Sequence, residues 1–287
     1  MLDTTLNDIN EEERMYSQYL LEQCYIDPQK ELEKPPVAIS MGEYSVKIKG
    51  GVEHIPIPLG TYGNFSLICA EPKRKKTFLV TLLSASYLGG QTDYTGEMRG
   101  HGDGKCLLHF DTEQSDYHAQ KVFRRPYKMC DQVNDCYLTY GLRQLNHNER
   151  LLAIEAGIQK YSDNLGVVVI DGLADLCSDV NNIEESNKIV QKVMTWSKEY
   201  NCHIITVVHT TFGSSKPTGH LGSAMEKKCE TAFFLDKAKN SPDIINVTCR
   251  ASRGYPFRPF SFYVNDYGFP KVANDFIGDG VMDFIGQ

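Results

Sequence analysis

Between residues 65 and 209 the chain repeats one pattern: a short run of almost purely apolar residues, a polar loop, then a stretch of helical periodicity. The runs are FSLICA (65–70), KCLLHFD (105–111), CYLTYGL (136–142), GVVVID (166–171) and HIITVVH (203–209). They do not alternate apolar with polar residues, so each must be a strand covered on both faces. Strands of that kind separated by helices form a mainly parallel sheet of the α/β class. The intervening helices are expected over 75–88, 114–127, 148–161 and 186–200. The third would place Leu151, Leu152, Ile154, Ile158 and Tyr161 on one face, and the fourth would turn Ile189, Val190, Val193 and Trp196 inward. A short helix (222–230) and the strand TAFFLD follow. INVTCR (245–250) and FSFYV (260–264) are joined by too few residues for a crossover helix, so they are expected as an antiparallel hairpin.

Residues 1–45 read as an appendage, with a helix over Glu11–Cys24 and a polar linker ending in Pro35 and Pro36. Met15, Tyr16, Tyr19, Leu20 and Cys24 fall near helical spacing in it. The core is expected over 46–265 and a tail over 266–287, whose alternating acidic and apolar residues would pack on a neighbour or stay mobile. With 30 Lys+Arg against 37 Asp+Glu, the net charge is −7. That excludes coating nucleic acid by bulk charge and leaves room for a local basic patch in a ring or groove. No apolar run approaches the ~18 to 20 residues of a membrane span, and the acidic start carries no visible signal peptide. The nine cysteines contain no CxxC pair; reduced thiols in a cytoplasmic protein are expected. Cys130 and Cys136 with His118 or His147 do not match the spacing of a structural zinc site.

Ligands in such a sheet sit at the carboxyl ends of the strands. After the first run comes AEPKRKKT, residues 70–77. A phosphate loop reads G-x-x-x-x-G-K-[S/T]. Here Ala70 stands for the first glycine and Lys75 for the second, with Lys76 and Thr77 in place. The loop should turn its N–H groups inward and open a helix whose N-terminus faces phosphate. Lys76 would supply a point charge, and Thr77 a hydroxyl for magnesium. Lys75 occupies a position that normally asks for a permissive backbone. These residues either cradle phosphate or form a solvated basic turn. Four cations in a row, Lys73 to Lys76, between a buried strand and an apolar helix favour the cradle.

The second run ends in Asp111-Thr112-Glu113. Glu113 is the candidate base toward an attacking water; the alternative is a helix start capped by Asp111 or Thr112, with Glu113 serving the helix dipole. Asp171 ends the fourth run and suits magnesium. His209 ends the fifth, either touching an outer phosphate or satisfied within the fold. A long, polar, flexible loop, Thr210 to Gly219, follows with Lys216 as its one cation. Arg250 and Arg253, with Arg258 beyond the turn, either act as fingers on the next subunit's phosphate or solvate a hairpin tip.

Phosphate loop, glutamate, magnesium aspartate and polar residue thus stand in chain order at successive strand ends. The arrangement resembles the RecA-like ATPase core over about residues 55–265. Within it the chain is similar to the RepA-like branch of hexameric helicase ATPases and to such ATPases carried by bacterial mobile elements. FDTEQS resembles the strand and catalytic glutamate of RecA and DnaB-type proteins, VVVIDGLADL their Walker B strand, and VVHTT their sensor strand. GHLGSAMEKKCET resembles the RepA-type segment after the DNA-facing loop. The resemblance implies that Ala70, Lys73, Lys75, Lys76, Thr77, Phe78 and Asp171 bind ATP, with Thr77 and Asp171 on Mg2+. It implies Glu113 as base, His209 as sensor, and Arg250 and Arg253 as fingers acting in trans. The 210–219 loop would face nucleic acid through Phe212, Ser214 and Lys216. The implied assembly is a ring, commonly a hexamer, in the cytoplasm, with single-stranded DNA and replication or transfer proteins as partners and no membrane.

Two functions fit these residues. One is an ATP-driven motor pulling single-stranded DNA through a ring. The other is a nucleotide-dependent switch or loader that assembles on a protein partner with little unwinding, which the acidic charge and the irregular phosphate loop favour. A small-molecule kinase is a more distant third, because no second phosphate-acceptor site is apparent.

Overall fold

The structure is a computed structural model that describes residues 10–130, 135–239, 241–273 and 276. It divides into two compact units, Met1–Lys34 and Pro35–Gln287. In the first, helix α1 (Glu11–Gln23) starts with a capping box in which Asn10 and Glu13 satisfy each other's backbone N–H. None of its residues is buried, and Met15, Tyr16, Tyr19 and Leu20 are all exposed.

The second unit opens with an antiparallel hairpin of β1 (Val37–Ile48) and β2 (Gly51–Thr61). The expected core boundary near residue 45 therefore falls inside a strand. The outer half of this hairpin is largely exposed, and bulges break the register between Val37 and Glu43. It has no continuous apolar run to mark it. Next come β3 (Phe65–Ala70), α2 (Lys76–Tyr87), the single turn α3 (Thr92–Thr95), and β4 (Met98–Gly100). The pattern continues with β5 (Cys106–Asp111), α4 (Asp116–Met129), β6 (Tyr137–Gly141), α5 (His147–Lys160) and β7 (Leu165–Asp171). Then follow α6 (Ile183–Glu199), β8 (His203–His209), α7 (Gly219–Lys228), β9 (Thr231–Ala238), β10 (Ser241–Ser252), β11 (Phe260–Val264) and β12 (Pro270–Val272).

The main sheet runs β12-β11-β10-β9-β3-β8-β7-β5-β6. From β9 to β6 the strands are parallel, and β10 to β12 add antiparallel strands at the other edge. This is the α/β sheet the apolar runs predict. β12 lies in the stretch read as tail, of which residues 266–273 and 276 are described. A second sheet, β2-β1-β4, is antiparallel.

The main sheet is apolar on both faces. One face packs on α2 and the small sheet through residues such as Leu79, Leu83, Ile57 and Leu59. The other packs on α5, α6 and α7 through Ile154, Ile158, Val193, Trp196 and Met225. Each such side chain contributes about 1.5–3 kcal/mol on full burial. Leu152, expected on the inner face of α5, is 67% exposed. It sits beside Leu151 in sequence, and neighbours on a helix diverge by about 100°. Among the described residues no helix is long and apolar enough to cross a membrane.

Candidate active site

The parallel strands end within two residues of one another: Ala70 pairs with His209, Asp111 with Asp171, and Asp171 with Val207. Their tips form the floor of a cleft walled by residues 73–78, Glu113, Gln114, Val122 and Arg125. The cleft therefore gathers the phosphate-loop residues Lys73, Lys75, Lys76, Thr77 and Phe78 with Glu113, Asp171 and His209. Ala70 lies buried beneath it at the end of β3.

The turn from β3 into α2 takes the left-handed conformation twice, at Lys73 (φ 63°) and Lys75 (φ 58°). Lys75 thus adopts the geometry its missing glycine would have allowed, at a strain of about 1–3 kcal/mol. Its Nζ donates to the Asp243 carbonyl at 3.0 Å, which anchors the turn to β10. No side chain caps α2. Its first-turn N–H groups carry the positive end of the helix dipole toward the cleft.

Lys76 is 7% exposed, and its Nζ makes three hydrogen bonds: to the Ala70 and Glu71 carbonyls (each 3.1 Å) and to His209 Nδ1 (2.7 Å). Burial lowers its pKa, while Asp171 and Glu113 pull the other way. An ammonium can only donate, so His209 Nδ1 accepts and the imidazole proton is assigned to Nε2. That atom lies 3.3 Å from Glu113 Oε1. The contact with His209 is the first cause holding the Glu113 carboxyl below its usual range. Lys76, His209 and Glu113 are one hydrogen-bonded chain across the cleft.

Asp111 accepts the backbone N–H of Glu113 (3.0 Å) and Gln114 (2.8 Å) and the Gln114 side-chain amide (2.7 Å). The α4 N-cap is Ser115, so Asp111 shapes the turn that presents Glu113 rather than capping the helix. Thr112 Oγ1 lies 3.0 Å from the carbonyls of Asp171 and Gly172 and 2.8 Å from Asp175 Oδ2. It ties the tip of β5 to that of β7. Gly172, at φ 102°, has no room for a Cβ, which would run into Thr112 Oγ1. Gly172→Ala should therefore destabilise the fold by about 2 kcal/mol or more. Urea denaturation checks this, and an unchanged midpoint would contradict it.

Asp171 is buried, and its Oδ2 has no hydrogen-bond partner. Burial first, then Asp111, push its carboxyl up to about 7; hydrogen bonding by the Thr77 side chain opposes them. An orphaned buried carboxylate oxygen beside a threonine hydroxyl is a donor set that fits Mg2+. Without a cation the folded state binds a proton between pH 3.8 and about 7 that the unfolded state has released. Through Asp171, stability should therefore fall as pH rises through that window and level off above it. Buried His109 and His203, both with lowered pKa, tilt the curve the other way below 6.5. The readout is thus the difference between Asp171→Asn and wild type. In nucleotide- and metal-free denaturation the variant should gain relative stability from about pH 4 to about 7 and no more above that. A flat difference would remove the Asp171 assignment.

The loop after His209 is not an open one. Thr210 bridges Pro217, Thr211 N–H donates to the Lys216 carbonyl, and Thr218 N–H returns to the His209 carbonyl. This is a small hairpin, with Phe212 at its tip 90% exposed and Lys216 exposed beside it. Ser214 Oγ accepts the Lys216 N–H. Thr210 N–H donates to the Ala70 carbonyl. Gly213 N–H donates to Glu71 Oε1 at 2.9 Å, while Glu71 Oε2 takes Arg74 at 2.8 Å. Root and tip of the hairpin are thus both held by the phosphate loop.

Arg250 and Arg253 do not line the cleft. Arg250 pairs with Glu226 and donates to the Ser215 carbonyl, and Arg253 donates to the Lys228 carbonyl. Within one chain both brace the hairpin and α7. The sequence reading missed Glu71, Gln114 and Arg125 as site residues. Glu71 had a signal, since a carboxylate within a cationic turn must find a purpose; Arg125, within a helix, had none.

Strand-end carboxylates, a helix N-terminus and a buried lysine on a parallel sheet define the class of phosphate-loop ATPases. A family model described as an AAA domain matches residues 58–215, and the chain belongs to that family. Among solved structures, the RadB recombinase is similar at 15% identity and a TM-score of 0.49, over 72% of this chain and 90% of that one. No curated protein matches the chain.

Proposed function

We propose that the protein is an ATP-hydrolysing motor of the RepA-like, RecA-related type. It forms a ring, expected to be a hexamer, and moves single-stranded DNA in the replication or mobilisation of a mobile element. The observation that carries this reading is the Lys76–His209–Glu113 chain, which joins the phosphate lysine to the base through the root of an exposed hairpin. Lys76 and the α2 N-terminus would bind the phosphates. Mg2+, held by Thr77 and Asp171, would neutralise charge on the outer phosphates. Glu113, ionised at neutral pH, would accept a proton from the attacking water. Occupation of the phosphate site would draw Lys76 away from His209, whose backbone continues into the hairpin carrying Phe212, Ser214 and Lys216. Phe212 offers a face for base stacking and Lys216 a charge for the backbone.

The intramolecular ties of Arg250 and Arg253 favour a second reading, in which the protein is a nucleotide-gated switch or loader on a protein partner. Steady-state ATP hydrolysis with and without single-stranded DNA separates the two. Turnover raised several-fold by DNA supports the motor. ATP-dependent assembly indifferent to DNA would replace it with the switch.

A further inference from the structure

The cleft contains a cation that the chemistry above does not use. Arg125 lies on α4 and lines the cleft with Thr77, Phe78, Glu113 and Gln114. Its guanidinium sits over the Phe78 ring, 4.1 Å from the centroid. It is partly buried, and burial lowers its pKa. Among the described residues it forms no ion pair and no hydrogen bond, so the ring contact is its one interaction. Of the other cations lining the cleft, all but Lys73 are committed. Arg74 is held by Glu71 and Asp236, Lys75 by the Asp243 carbonyl, and Lys76 by its three acceptors.

A guanidinium carries several N–H donors. That of Arg125 is held against an aromatic ring in the cleft, with no protein acceptor for those donors. Pro126, the next residue, lies inside α4 and has no N–H to donate. The helix ladder therefore loses a bond at Pro126. Phe78, the platform, follows Thr77 in the first turn of α2, where the helix dipole favours an anion. A planar fork beside a helix N-terminus matches the oxygens of a phosphate.

We propose that Arg125 is a phosphate-binding residue supplied in cis, which clamps the polyphosphate chain of the nucleotide from the α4 side of the cleft. Phe78 acts as its platform and positions it. The proposal rests on the ATP-site reading above and assigns that site a second cation from the same chain. One protomer then binds nucleotide without an arginine from its neighbour.

The test is equilibrium binding of a fluorescent ATP analogue, of inorganic tripolyphosphate as competitor, and of adenosine. It compares wild type with Arg125→Gln, Arg125→Lys and Phe78→Leu, each with a thermal melt. Arg125→Gln should weaken the ATP analogue and tripolyphosphate at least tenfold and leave adenosine unchanged. Arg125→Lys, which keeps the charge but loses the fork and the stack, and Phe78→Leu should each lose several-fold. Wild-type binding of ATP with Arg125→Gln within twofold of it overturns the clamp and leaves the ATP site standing. If Arg125→Gln does not fold, wild-type affinities in both other variants overturn it. If wild type binds neither ATP nor tripolyphosphate, the ATP site and the clamp fall together.

Discussion

Lys76→Ala should lower affinity for ATP by about two to four orders of magnitude. A charge-assisted contact contributes about 1.5–3 kcal/mol, and an ammonium at a phosphate site makes at least two. Stability should move little by comparison. The ammonium is buried, and removing it ends a desolvation cost. The loss of its three hydrogen bonds works against that gain. Calorimetric titration with ATP beside thermal unfolding separates the two effects. Lys76→Met, which fills the space of the side chain without its charge, is the better folded control. Binding retained within tenfold in either variant would remove Lys76 from the phosphate site.

Glu113→Gln should leave nucleotide affinity within a few-fold and cut turnover by about 10²–10⁴-fold, the range of a positioned base. The amide keeps the shape and still accepts from His209 Nε2, so the chain to Lys76 persists. Only the capacity to take a proton is lost. Single-turnover hydrolysis with bound nucleotide measures this directly, and wild-type turnover in the variant would assign the base elsewhere.

Much of this architecture is legible in the sequence because burial on both faces forces continuous apolar runs. β3, β5, β7 and β8 each end near a residue that the cleft uses. The β1–β2 hairpin is not legible, since its outer half is solvated and its register bulges. The site divides in the same way. Residues at strand ends, such as Asp171 and His209, are found by position. Arg125 is brought in by the packing of α4 against α2, which no local pattern encodes. Lys75 shows a different limit: the missing glycine signalled a defective turn, yet an anchored lysine holds the left-handed geometry. The strand ends also left His209 ambiguous between sensor and satisfied histidine. In the structure it is satisfied, by the two groups whose states a sensor would read.

The carboxylate of Glu71 is divided between Arg74 and the Gly213 amide. A disturbance in the phosphate turn has one side chain and one peptide bond to cross before it reaches Phe212. Many couplings between distant sites need a relay of packed elements with two alternative arrangements. In the proposed motor, the turn that would receive phosphate and the hairpin that faces outward would act as two arms of one lever, joined where Thr210 meets Ala70. On that reading, the outer arm would respond to the exchange of a few hydrogen bonds in the cleft, without a rearrangement of the fold.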